Sequence, residues 1–305
     1  MKTTLMLLSA TLVGSLLQAE RISLTGAGAS FPAPVYQQWT YAYTAEGEGA
    51  AVTYQSVGSG AGINQIKAGT IDFAGSDAPL TAAQCEANGL VQFPMLTGAV
   101  VPIVNVPRVK AAQLKLSNET LASIFLGEIT NWNDPRIAAE NPGVKLPKSL
   151  PITVVHRSDS SGTTNIFTSY LASVSAAWQT RVGAGSNVKW PVGIGGQKNP
   201  GVCNTVARIR GAIGYTEYTY ALEAKLATVQ LADAQGQYQT ADKAAWPILG
   251  TTYLLYRKDL AAERLNALKA YVRWCFEKGE AQAIKLHYTP LAESVKAHVV
   301  SEVLK

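Results

Sequence analysis

Three times in this 305-residue chain an apolar run ends in glycine and serine and passes at once into a helical pattern. Ile22-Ser-Leu24 leads into Thr25-Gly-Ala-Gly-Ala-Ser30-Phe31-Pro32, after which Val35, Tyr36, Trp39 and Tyr43 share a helix face. Residues 51–57 lead into Gly58-Ser59-Gly60-Ala61-Gly62, and Ile63 and Ile66 open a short helix that Gly69 should end. Ile152-Thr-Val-Val155 leads into His156-Arg157-Ser158-Asp159-Ser160-Ser161-Gly162-Thr163-Thr164. Beyond it Ile166, Phe167, Tyr170, Leu171, Val174 and Trp178 recur at helical spacing. Repeated strand, tight turn and helix predict an α/β fold.

Such turns suit anions. The first turn of a helix presents unpaired N–H groups at the positive end of its dipole, and Gly162 has no side chain to block approach. Ser161 and Thr163 add hydroxyl donors, while Arg157 at the strand end supplies a planar fork that Asp159 can hold in place. Any one Ser/Asp-rich start is equally well an ordinary helix cap. A further strand over residues 70–74 ends at Gly75-Ser76-Asp77-Ala78-Pro79, which puts a carboxylate where open α/β sheets bind ligands; an Asx-turn is the plainer role. Agreement among the starts carries the reading, since together they converge neutral donors on one small anion.

At this length the chain can build two medium-sized lobes. The nearly unbroken apolar run over residues 93–104 reads as a strand buried on both faces that carries the chain out of the first lobe, with Asn105-Val-Pro107 as the crossing point. The strand within residues 246–256 brings it back. The expected division is residues 20–103 and 250–305 in lobe I and 104–249 in lobe II, each a mixed sheet flanked by helices, joined by a two-segment hinge. Residues 190–200 read as a glycine-rich connector without the Gly-Lys-Ser/Thr of a nucleotide-binding loop. Helices are expected over 202–209, 218–226, 262–278 and 291–304, a strand over 211–215, and an exposed polar segment over 233–245. The apolar stretch after Lys2, closed by Gln18-Ala19, reads as a secretory signal peptide over residues 1–19.

Several function classes are disfavoured. Gly26-x-Gly28 lacks the third glycine of a dinucleotide fingerprint. Val57 stands two before Ser59, so the nucleophile-elbow pattern fails. His156, His287 and His298 have no Cys or His at ligand spacing, so no metal is expected. Cys85, Cys203 and Cys275 are an odd set and read as free thiols, one disulfide remaining open. The excess of 26 Lys+Arg over 21 Asp+Glu is mild and shows no basic run interleaved with aromatics, so nucleic acid is not an expected partner.

Thr25-Gly-Ala-Gly-Ala-Ser-Phe-Pro-Ala-Pro-Val-Tyr36, Ser76-Asp-Ala-Pro-Leu80, Val188-Lys-Trp-Pro191 and Gly211-Ala-Ile-Gly-Tyr215 are long shared strings. Through them, from about Ser23 to the C-terminal helices, the sequence resembles the periplasmic phosphate-binding proteins of Pst ABC transporters. The resemblance implies a two-lobed periplasmic-binding-protein fold without cofactor, closing on inorganic phosphate and delivering it to permease subunits in the inner membrane, with the chain a monomer. By position it implies phosphate contacts from Ser30, the Phe31 backbone, Ser59, Asp77, Arg157, Ser161, Gly162 and Thr163, with Asp159 bracing Arg157. Ser30 stands where many members have Thr, which keeps the hydroxyl. Asp77 is the expected selectivity filter: phosphate near neutral pH still has a proton to donate to a carboxylate, and sulfate does not. The alternatives are a binding protein for another oxyanion and a secreted phosphatase or hydrolase.

Overall fold

The computed structural model describes residues 21–47 and 49–304; the signal-peptide reading of residues 1–19 lies outside them. β1 (Ser23–Gly28) runs into α1 (Ala33–Glu46), where Pro34 takes an early position whose missing N–H costs little. The helix buries the expected face of Val35, Tyr36, Trp39 and Tyr43, each worth about 1.5–3 kcal/mol of transfer free energy on the usual scale. β2 (Ala51–Ser56), α2 (Ser59–Lys67) and β3 (Phe73–Ser76) complete a parallel set in which β1 lies between β2 and β3. β3 starts later than residue 70. Asp72 instead accepts from the Thr25 amide at 2.7 Å and pairs with Arg264 at 2.5 Å.

α3 (Ala82–Ala87), opened by a Thr81/Gln84 capping box, leads to β4 (Leu90–Val104), whose 15 residues serve two sheets. Leu90–Ala99 pair with β12 (Leu249–Arg257), which also pairs with β3, and β13 (Thr289–Pro290) adds to the other side of β4. Val100–Val104 pair instead with β8 (Ala212–Glu217). The passage between sheets therefore falls inside β4, at Ala99/Val100, rather than at the expected Asn105–Pro107.

The second sheet continues from β8 to β6 (Thr153–Arg157) and β7 (Ile194–Gly196), all parallel, with β9 (Ala227–Thr228) on the free side of β4. Both sheets are mixed. Around them pack α4 (Asn118–Phe125), α5 (Pro135–Glu140), α6 (Gly162–Val174), α7 (Ala176–Arg181), α8 (Lys198–Arg208), α9 (Tyr218–Glu223), α10 (Ala262–Glu277), α11 (Glu280–Lys285) and α12 (Glu293–His298). A small third sheet joins β5 (Lys115–Leu116), β10 (Gln230–Ala232) and β11 (Tyr238–Gln239).

The helix expected over 291–304 is present as α12 continuing directly into a π-helical stretch over Val299–Val303. One expectation needs correction. Residues 190–200 are no mere connector: they hold β7 and start α8. A Cβ on Gly195 would lie 2.8 Å from the Ser158 side chain, and one on Gly196 2.8 Å from the Val202 amide. Packing this close demands glycine, so the strand carries no hydrophobic alternation by which to read it. Cys85, Cys203 and Cys275 are free and lie in α3, α8 and α10.

Candidate functional site

In both sheets the carboxyl ends of the parallel strands face one place. β1, β2 and β3 deliver Ser30 and Phe31, Ser59, and Asp77; β6 delivers Arg157 and the start of α6; β7 delivers the start of α8. Ser30, Phe31, Ser59, Asp77, Arg157, Ser161 and Thr163 are all less than 5% exposed, and Gly162 is buried with them.

Arg157 is held on almost every side. Its amide donates to the Tyr215 hydroxyl at 3.2 Å, and Nε and Nη2 donate to the two Asp159 oxygens at 2.8 and 2.6 Å, the bidentate geometry expected of Asp159. Nη1 donates to Asn199 Oδ1 at 3.1 Å and more loosely to Thr163 Oγ1 at 3.4 Å. Burial pushes the Asp159 carboxyl up, but the hydrogen bonds and charge of Arg157 outweigh it and hold the group below its ordinary value. Tyr215, stacked on Phe167 with ring centroids 4.3 Å apart, also meets Thr164 Oγ1 at 2.6 Å. One aromatic side chain thus positions both the strand end and the first turn of α6.

Ser161 caps α6, its Oγ accepting from the Thr164 amide at 3.0 Å. The Gly162 amide donates to Ser59 Oγ at 3.1 Å, and the Gly60 amide donates to the Ser160 carbonyl at 3.1 Å. The helix starts of the two sheets are therefore in direct contact. A Cβ on Gly162 would sit 2.5 Å from Asp77 Oδ2, so glycine is a steric requirement where α6 meets Asp77. Tyr220 donates to the Ser30 carbonyl at 2.7 Å and Tyr288 to the Phe31 carbonyl at 2.6 Å. With its ring packed edge-on against Tyr288, Phe31 has only backbone to offer the site.

Asp77 is the carboxylate with least support. Its Oδ1 has no hydrogen-bond partner, and Oδ2 meets Ser59 Oγ at a long 3.5 Å. The Thr252 hydroxyl lies near it but short of hydrogen-bond geometry. Burial raises the carboxyl to about 7, against smaller opposing effects from Thr252, Arg157 and Ser59. A cleft of about 380 Å³ between α6 and the start of β12 reaches Asp77.

His156 lies outside this cluster. Its ring stacks on Trp190 at 4.9 Å and its Nδ1 meets the Arg157 carbonyl at 3.0 Å, leaving Ser161 without a general base. Among the described residues no three His, Cys, Asp or Glu side chains gather as a metal-ligating group. Asn199, Tyr215 and Thr252 were not expected at the site. A signal existed only for Asn199, in the Gly-Gly turn before a helix.

Hydroxyls, peptide N–H groups and one guanidinium brought together from two sheets define a solute-binding protein for a small anion. The PBP superfamily domain matches residues 12–292. The chain is 42% identical to the phosphate-binding protein PstS of Xylella fastidiosa (strain 9a5c), over 93% of this chain and 87% of that one. It is 40% identical to PstS of Haemophilus influenzae, over 95% of both. A phosphate-bound putative phosphate ABC transporter substrate-binding protein from Clostridium perfringens shares the fold, with a TM-score of 0.67 and 17% identity over 88% of this chain and 100% of that one. The chain belongs to the PstS family of phosphate-binding proteins, and its α/β architecture is the two-lobed periplasmic-binding-protein fold.

Proposed function

We propose that this protein binds inorganic phosphate outside the cytoplasm, after export on a signal peptide over residues 1–19, and hands it as a monomer to the permease subunits of an ABC transporter. Residues 20–103 with 250–305 and residues 104–249 act as two bodies joined through β4, which changes sheet at Ala99/Val100, and through the segment that enters β12. Ser30, the Phe31 backbone, Ser59 and Asp77 hold the anion from one body; Arg157, Ser161, Gly162 and Thr163 hold it from the other. Family membership supports the ligand class, and the observation that carries it to these residues is Asp77. A buried carboxyl amid otherwise donor-rich groups rejects a fully deprotonated oxyanion and accepts one that brings its own proton. Isothermal titration with phosphate, sulfate and arsenate near pH 8 tests this: phosphate and arsenate bind far more tightly than sulfate. Sulfate binding as tight as phosphate binding would sink the assignment.

Closure follows from the same contacts. Because the anion touches both bodies, its binding free energy favours the closed arrangement.

A further inference from the structure

We infer that Asn199, at the start of α8, is a further anion-binding residue, donating through its side-chain Nδ2 to the same ligand that Arg157 grips; this rests on the phosphate reading above. Asn199 is fully buried. Its oxygen is committed, since Oδ1 accepts from Arg157 Nη1 at 3.1 Å and a guanidinium can only donate, which fixes the orientation of the amide. Its backbone N–H is committed as well, donating to Ser30 Oγ at 3.3 Å. Nδ2 is buried and has no hydrogen-bond partner in the protein.

A buried amide donor left unsatisfied costs on the order of 1–3 kcal/mol, and its neighbours do not relieve it. Arg157 is a donor, Asp159 is engaged by the Arg157 fork and the Lys198 amide, and the Ser30 carbonyl is taken by Tyr220. An anion between Arg157 and Ser30 supplies an acceptor within the residue's reach. The surrounding architecture repeats that of the other anion-facing starts: β7, a turn, then an 11-residue helix with its N-terminus toward the cluster. Asn199 also joins the two bodies directly, taking Arg157 on one side and Ser30 on the other. It therefore contributes to closure as well as to contact.

The test uses the full protein, inorganic phosphate and three variants. Asn199→Ala removes the donor. Asn199→Asp keeps the shape and the acceptor toward Arg157 but replaces the donor with a second acceptor. Asn204→Asp, exposed on the same helix, controls for added charge. Titration calorimetry should show Asn199→Ala binding phosphate about tenfold more weakly, Asn199→Asp about a hundredfold more weakly, and Asn204→Asp within about twofold of the unmodified protein. Far-ultraviolet circular dichroism should match across all four, and a phosphate-bound crystal structure should place Nδ2 within hydrogen-bond distance of a phosphate oxygen. Three results would overturn the inference: undiminished binding by Asn199→Ala, binding by Asn199→Asp as tight as by Asn199→Ala, or a complex with Nδ2 out of reach of every phosphate oxygen. Failure of the unmodified protein to bind phosphate is a separate result, and it would remove the phosphate reading itself together with this one.

Discussion

Asp77 and Arg157 are both buried, yet the fold treats them oppositely. Arg157 has a bidentate partner in Asp159, so Asp159→Ala would leave a guanidinium buried without compensation, at about 3–5 kcal/mol in stability. Chemical denaturation should show that loss, and calorimetry should show weakened phosphate binding. Asp77 has no such partner and is raised to about 7 by burial. Below that pH it carries a proton and can donate to sulfate; above it the carboxylate repels sulfate. Sulfate affinity should therefore rise by about tenfold for each unit as pH falls from 9 toward 7 and then level off. In Asp77→Asn the sulfate affinity should be flat across that range and the preference for phosphate narrower. A steep sulfate profile in Asp77→Asn would place the titrating group elsewhere.

The working elements are helix starts pressed against each other through glycine. A Cβ on Gly60 would meet the Ser160 side chain at 2.5 Å, and one on Gly162 would meet Asp77 at the same distance. Gly162→Ala should therefore leave each sheet folded while holding α6 away from Asp77, with phosphate affinity reduced at least about tenfold and circular dichroism unchanged. Gly60→Ala should do the same, because the added Cβ would meet the Ser160 Cβ, which the backbone holds in place, and only the Ser160 Oγ can turn aside. Equal affinity in Gly162→Ala would mean that the closed contact is not the binding state. Most of this was legible from residue types alone: serine and glycine at helix starts, with Arg157 and Asp159 spaced to pair across one strand end. β7 was not, because a strand built of glycine shows no alternation, and Asn199 went unread with it.

At the scale of the whole molecule, closure and pH dependence are each open to measurement. Adding phosphate should reduce the radius of gyration measured by solution X-ray scattering; no change would contradict hinged closure. A second buried acid sits at the junction. Glu217 pairs in register with Val100, the residue at which β4 changes sheets, and burial raises it to about 8 even though Thr219 donates to its Oε1 at 2.9 Å. Both acids have folded values above the unfolded ones, 3.8 for Asp77 and 4.5 for Glu217. Their contribution to stability is full below about pH 4 and is lost as pH rises through 7 and 8. The ligand-free protein should then lose on the order of a few kcal/mol between pH 5 and 8.5, and the Asp77→Asn/Glu217→Gln pair should flatten that profile in thermal melts. By itself the sequence determined the local chemistry: which segments become strands and helix starts, and which side chains at their ends can donate to an anion, because periodicity and capping act over a few residues. Only the tertiary structure decided which starts meet, that β4 changes sheets at Ala99/Val100, that Tyr215 braces Arg157, and that Asn199 stands between Arg157 and Ser30. Those outcomes depend on contacts between residues far apart in the chain, and on packing too close for any side chain but hydrogen.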